Sequence, residues 1–152
     1  MRPGVRLGVD VGKARVGVAR SDREGLLATP VVTLVRGDST IQELLAIVAE
    51  LEPLEVVVGL PLSLSGGDTL STSDAREFAS ELAATGVTVR LIDERLSTVS
   101  AQRALRESGR RAKGSRPVID QVAAVIILQN ALDFERSSGR QPGEAVVPHE
   151  RQ

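Results

Sequence analysis

The first twenty residues alternate. Val5, Leu7 and Val9 interleave with Arg6, Gly8 and Asp10, and Val16 and Val18 interleave with Gly17 and Ala19. A period of two predicts strands from about Val5 to Val11 and from Arg15 to Arg20, joined at Gly12-Lys13-Ala14 as a hairpin. After the turn residues Ser21-Asp22-Arg23-Glu24-Gly25, Leu26 to Val35 reads as a third extended segment. Pro30 within it suits an edge strand or a bulge. The period then changes. Ile41, Leu44, Leu45, Val48 and Leu51 stand at helical spacing, with Thr40 and Glu43 as a potential capping box and Pro53 as the stop. Glu55 to Leu60 is a short β-branched run of the kind buried on both faces of a sheet. A Ser- and Gly-rich loop over Pro61–Thr69 leads to a second helix from about Ser71 to Ala84, ended by Gly86. Val87 to Asp93 predicts a fifth strand, Thr98 to Glu107 a third helix, Arg110 to Arg116 a basic loop, and Val118 to Phe134 a last apolar helix.

This order predicts an α/β fold. An antiparallel meander of three strands is continued by two parallel strands through right-handed crossovers. The expected architecture is one mixed five-stranded sheet with helices on both faces. Residues 1–136 form the expected single domain. The remainder, 137–152, has the Gly, Pro, Ser and charge content of a flexible tail. No internal repeat is visible.

Composition narrows the chemistry. The chain has 152 residues, enough for one domain, and no cysteine, which excludes disulfides, thiolate nucleophiles and Cys-based metal sites. The single histidine, His149, lies three residues from the end, so a Ser-His-Asp triad or multi-His metal centre is not expected. Phe78 and Phe134 are the only aromatics, too few for a module that stacks bases on aromatic side chains. No apolar run approaches the ~20 residues of a membrane span. The expectation is a cytoplasmic protein whose acid–base or metal chemistry rests on carboxylates.

Charge is uneven along a chain of formal net charge −1. Met1 to Gln102 carries 10 basic and 14 acidic residues, whereas Arg103, Arg106, Arg110, Arg111, Lys113 and Arg116 crowd into fourteen positions against Glu107 alone. Such a segment is either an electrostatic footprint for phosphates or a solvated face.

Three acids stand at informative places. Asp10 ends a strand on a face whose other members, with those of the neighbouring strand, are Gly8, Gly17 and Ala19. That face leaves room for a ligand or a backbone, although a turn aspartate capping the hairpin fits as well. Glu94 follows the fifth strand beside Asp93. In a regular strand the two point to opposite faces, so one of them can share a site with Asp10, the alternative being a surface ion pair with Arg95. Asp120 shares a helical stripe with Ala123, Ala124 and Ile127, which calls for a partner such as a metal ion, or else marks a first-turn acid favoured by the helix dipole. Together the three suit Mg²⁺ or Mn²⁺, which prefer oxygen ligands. Two such ions ~3.5–4 Å apart can activate water and stabilise a leaving oxygen in phosphodiester cleavage.

The runs Gly8-Val9-Asp10-Val11-Gly12 with Arg15-Val16-Gly17-Val18-Ala19, Val58-Gly59-Leu60-Pro61, Asp93-Glu94-Arg95-Leu96-Ser97-Thr98 and Ile119-Asp120-Gln121-Val122-Ala123-Ala124 closely resemble the YqgF/RuvX family. The resemblance extends from about Arg6 to Leu132. It implies an RNase H-like fold and a metal-dependent endonuclease that processes the 5′ end of pre-16S rRNA in ribosome biogenesis. The alternatives are a Holliday junction resolvase acting on branched DNA and a non-catalytic RNA-binding assembly factor. Carried over by position, Asp10, Glu94 and Asp120 are the expected catalytic and metal-binding acids, and Lys113 matches a basic position before the last helix. Nucleic-acid contacts are expected at Lys13, Arg15, Arg95, Arg110, Arg111, Lys113 and Arg116. Ser63 stands where family members often have Asn. Actin-like ATPases share the Asp10-Val11-Gly12 pattern but need two such domains. The expected assembly is a monomer or a homodimer, a resolvase requiring the dimer for symmetric cutting.

Overall fold

The computed structural model describes residues 1–63, 65–94 and 116–147, with side chains in the last stretch from residue 121. Strands β1 (Arg6–Val11), β2 (Arg15–Ser21) and β3 (Ala28–Val35) form the meander. Helix α1 (Thr40–Leu51), β4 (Glu55–Leu60), α2 (Leu70–Ala84), β5 (Val89–Asp93) and α3 (Arg116–Ser138) follow. The sheet order is β3-β2-β1-β4-β5-β6, where β6 is Glu144–Ala145. β1 runs antiparallel to β2 and parallel to β4, and β4 is parallel to β5. The mixed α/β sheet is as expected, with six strands in place of five.

The sixth strand comes from the segment read as a tail. The chain leaves α3, turns at Gly139 (φ 75°) and returns to lay Glu144 and Ala145 antiparallel against Leu91 and Arg90. Val146 N donates to Val89 O at 2.9 Å and its side chain packs on the core. Two residues are too short to show a periodicity, which is why composition alone reads as fraying there. Among the described residues this segment docks. The predicted third helix and residues 110–115 of the predicted basic loop lie outside the described residues, and Arg116, its last position, is the first residue of α3.

Each face of the sheet has its own core. On one side Leu7, Val9, Val16, Val18, Val56 and Val58 meet Leu44 of α1 and Ala75, Phe78, Ala79 and Leu82 of α2. Full burial of each such Val or Leu contributes about 1.5–3 kcal/mol. On the other side Ala123, Ala124, Ile127, Leu128, Ala131 and Leu132, a 3–4 spaced stripe of α3, cover Ala19, Ala28 and Val57. This helix lies close because the sheet under it is nearly bare. A Cβ on Gly8 would stand 2.6 Å from Leu128 Cβ and 2.9 Å from Ala124 O. The small-residue face is thus occupied by a helix backbone.

Cover on both faces also explains Arg6, which is 1% exposed. Alternation puts it opposite Leu7, under α3. There its guanidinium meets Glu135 Oε2 at 3.4 Å and Gly4 O at 2.9 Å. Arg2 completes the group, donating to both oxygens of Glu135 at 2.9 Å and to Glu55 at 3.1 Å. These bonds hold the Glu135 carboxyl down to about 2 and raise the Arg2 guanidinium further. A buried cation is retained here because buried carboxylates meet it.

The α1 cap differs from the sequence expectation. Thr40 Oγ1 accepts from Gly37 N at 2.7 Å and bonds back to the strand end, so it is not paired with Glu43. The capping box lies instead at α2, between Thr69 and Thr72. Thr72 Oγ1 also bonds to Pro61 O, which ties the loop after β4 to the helix start.

Candidate active site

Asp10 and Glu94 are brought to one place by strand register. β1 and β4 pair with Val9 opposite Val58, so one residue on, Asp10 and Gly59 stand side by side. Asp10 shares its parity with Gly8 and therefore faces α3. Gly59 lies under the same helix, since a Cβ there would be 2.5 Å from Ile127 Cδ1. The same Cβ would be 2.5 Å from Glu94 Oε2. The Glu94 carboxylate thus lies over Gly59, with Asp10 on the adjoining strand. Glycine at 59 is what leaves space for it. Asp93, opposite Leu60 in the β4–β5 ladder, is half-buried, whereas Glu94 is 2% exposed.

Asp10 is fully buried. It lies at the C-terminal end of β1, between Gly17 of β2 and Gly59 of β4. Asp10 on β1 and Glu94 just past β5 flank Gly59 of β4, the strand between them, and both present carboxylate oxygens. This set suits a hard divalent cation. Among the described residues no group of three or more His, Asp or Glu side chains gathers, so the described part of the site is this pair.

Asp120 belongs to the helical backbone of α3. Its position is one turn before Ala124, whose carbonyl oxygen would stand 2.9 Å from a Cβ on Gly8. One residue later Gln121 Nε2 donates to Thr33 Oγ1 at 3.0 Å, and Thr33 pairs across β2 with Gly17, the partner of Asp10. The N-terminal part of α3 therefore crosses the row of residues that contains Asp10.

The expected nucleic-acid contacts divide. Lys13 is exposed on the β1–β2 turn and lines a cleft of about 390 Å³ with Arg36, Gly37, Leu70, Ser71 and Asp74. Arg15 opens β2 and is half-buried. Arg95, Arg110, Arg111 and Lys113 lie outside the described residues, and Arg116 is placed only as the first backbone position of α3. Sequence reasoning missed Arg36. Its guanidinium grips Asp74 at 2.8 and 2.9 Å and lies 5.4 Å above the Phe78 ring. That ion pair lowers the Asp74 carboxyl and raises Arg36. An isolated Arg after a strand gives no signal of such a role. Gly59 had one, as a glycine inside a strand pattern marks a close approach.

A three-stranded antiparallel meander extended by two parallel strands, with a helix crossing the face that holds Asp10, is a fold of the RNase H-like class. Solved structures share this fold. RuvC of T. thermophilus in complex with a Holliday junction substrate matches with a TM-score of 0.55 at 18% identity, over 91% of this chain and 99% of that one. A second Thermus thermophilus RuvC structure gives 0.51 at the same identity. The family model RuvX, described as Holliday junction resolvase, matches residues 4–134, and the chain belongs to that family. Relatives from Clavibacter michiganensis subsp. michiganensis and Leifsonia xyli subsp. xyli are 60% and 58% identical. The alignments cover 99% and 97% of this chain and 96% and 97% of theirs. A Streptomyces coelicolor relative is 55% identical over 96% of this chain and 90% of its own. All three bear the name "Putative pre-16S rRNA nuclease".

Proposed function

We propose that this nuclease cleaves phosphodiester bonds in precursor 16S rRNA, using Asp10, Glu94 and Asp120 as its catalytic acids. The observation that carries the reading is the pair of buried carboxylates, Asp10 and Glu94, beside the side-chain-free Gly59. Asp10, Glu94 and Asp120 would hold Mg²⁺ or Mn²⁺. When bound, the cation supplies a water of lowered pKa and charge stabilisation for the phosphoryl oxygens. The protein's own part is positional. β1 and the end of β5 fix two carboxylates on a rigid sheet, and α3 covers the face they share with Gly8 and Gly59. The basic segment that includes Arg110, Arg111, Lys113 and Arg116, with Lys13, Arg15 and Arg95, supplies phosphate contacts, which orient a strand without reading its sequence. A scarcity of aromatics fits a grip on backbone and shape. The protein acts in the cytoplasm, where ribosomal precursors are made.

Resolution of branched DNA is the second reading. It is favoured by the description of the family model and by the RuvC-like fold. The test is cleavage of end-labelled substrates, a ribosomal RNA precursor fragment beside a four-way DNA junction, with Mg²⁺, Mn²⁺ or chelator. Wild type and Asp10→Asn are compared. Metal-dependent cutting of the RNA alone, lost in the variant, is the expected result. Symmetric cutting of the junction by a dimer establishes the resolvase. Tight RNA binding with no cutting of either substrate makes the protein an assembly factor and the acids structural.

A further inference from the structure

We propose that Arg36 is a positioning residue for the active site, a brace that fixes Asp10 relative to Glu94. The proposal rests on the reading of those two acids as catalytic.

β1 passes from Asp10 directly into the turn Gly12-Lys13-Ala14. The turn is closed by Gly12 N donating to Arg15 O at 2.9 Å, and a Cβ on Gly12 would stand 2.8 Å from that same oxygen. Arg36 holds this turn twice. Its backbone N–H donates to Ala14 O at 2.9 Å, and its Nη1 donates to Gly12 O at 2.7 Å. The same Nη1, together with Nη2, donates to the two oxygens of Asp74 in the second turn of α2, and the guanidinium lies above the ring of Phe78. Helix α2 packs on β4 and β5. Those strands provide Gly59 and lead into Glu94. One planar group therefore links the strand end of Asp10 to the helix seated on the strands that place Glu94.

Arginine suits this task for a geometric reason. Its fork serves a carboxylate bidentately while a further N–H reaches a carbonyl at a fixed angle, which a single ammonium cannot do. Its charge is already met by Asp74, so Arg36 acts through the turn and does not serve as a phosphate contact.

The decisive variant is Arg36→Lys, which keeps the charge and loses the fork. Cleavage is measured well below the melting temperature of each variant, and Mn²⁺ affinity is measured separately by paramagnetic resonance of the free ion. We expect kcat to fall about 10- to 100-fold, the scale of sub-ångström to 1 Å misplacement. Mn²⁺ affinity falls with it, while KM and the salt dependence of binding stay at wild-type values. Asp74→Asn, which weakens the grip without touching the turn, moves kcat and Mn²⁺ affinity in the same direction by less. Wild-type kcat and Mn²⁺ affinity in Arg36→Lys overturn the proposal. So does a variant Arg36→Met that raises KM and flattens the salt dependence while Arg36→Lys does neither, because Arg36 is then a phosphate contact. Asp10→Asn is run alongside. If it matches wild type in both cleavage and Mn²⁺ binding, the assignment of the acids has failed. If it is inactive while Arg36→Lys is normal, only the brace has failed.

Discussion

Replacing Gly59 by alanine separates the working of the site from the stability of the fold. A Cβ at this position stands 2.5 Å from Glu94 Oε2 and 2.5 Å from Ile127 Cδ1, where ordinary contact begins at 3.4 Å. Each of those atoms must retreat by about 0.9 Å. Both are ends of side chains, so accommodation is cheap, about 1–2 kcal/mol for overpacking, partly offset by the lower chain entropy of the unfolded alanine variant. The melting temperature should fall by only a few degrees. Activity should suffer far more, because displacement of a catalytic carboxylate by ~1 Å costs on the order of 100-fold in rate. Gly8→Ala is the contrasting variant. Its Cβ meets Leu128 Cβ at 2.6 Å and Ala124 O at 2.9 Å, atoms fixed to the backbone of α3. The helix has to lift, at about 3 kcal/mol, which for a chain of this size lowers the melting temperature by roughly 6–12 °C. The assay pairs metal-dependent cleavage of a labelled RNA with thermal melting of both variants. A Gly59→Ala enzyme with the wild-type rate would refute the placement of Glu94, and so would one that melts as early as Gly8→Ala.

Other outcomes follow from the same structure. Glu135, held down to about 2 chiefly by its hydrogen bonds from Arg2, has a folded pKa below its ordinary 4.5. Its contribution, on the order of 3 kcal/mol, is present above pH ~4.5 and is lost as the pH falls toward 2. Glu135→Gln should therefore melt earlier at pH 7 and show a flatter melting profile between pH 5 and 2.5; parallel profiles would contradict this. Deleting residues 140–152 removes β6 and the partners of Arg90 at Gln141, Pro142 and Gly143, so melting should drop by roughly 4–8 °C for ~2 kcal/mol. An unchanged melting temperature would mean that the strand adds nothing. Alanine at Arg110, Arg111 and Lys113 should reduce the salt slope of RNA binding by up to about 0.7 per lost phosphate contact. A slope equal to wild type would make the segment a solvated face.

Much of this arrangement was legible in the chain because alternation is a strong signal where one face is consistently apolar. Leu7 and Val9 fixed β1, and Asp10 inherited its face from Gly8. The stripe of Ala123, Ala124 and Ile127 likewise fixed the buried side of α3. What stayed hidden depends on contacts distant in sequence. Arg6 looks like a solvent-facing residue of an alternating strand until Glu135, 129 residues later, is seen against it. Arg36 has no local pattern, since its partners at Gly12 and Asp74 lie 24 and 38 residues away. β6 is two residues long and is defined by the strand beside it. Gly59 interrupts the β-branched run Val56-Val57-Val58-Gly59-Leu60, but its use depends on where Glu94 turns.

The borders of the sheet bear on how this protein behaves when crowded with copies of itself. An open β-strand edge is a template for further strands, and chains that expose one are prone to polymerise. Here the two edges are guarded differently. β3 is long and faces outward, but Pro30 removes one backbone donor and a register shift opposite Val18 and Ala19 breaks the regular ladder. β5 contains Val89 and Leu91 with no such interruption, and its guard is β6. The last strand thus acts as a stopper for an adhesive edge. A chain cut short before Glu144, by proteolysis or incomplete synthesis, would lose more than a few hydrogen bonds. It would gain a surface able to recruit the same edge of another molecule.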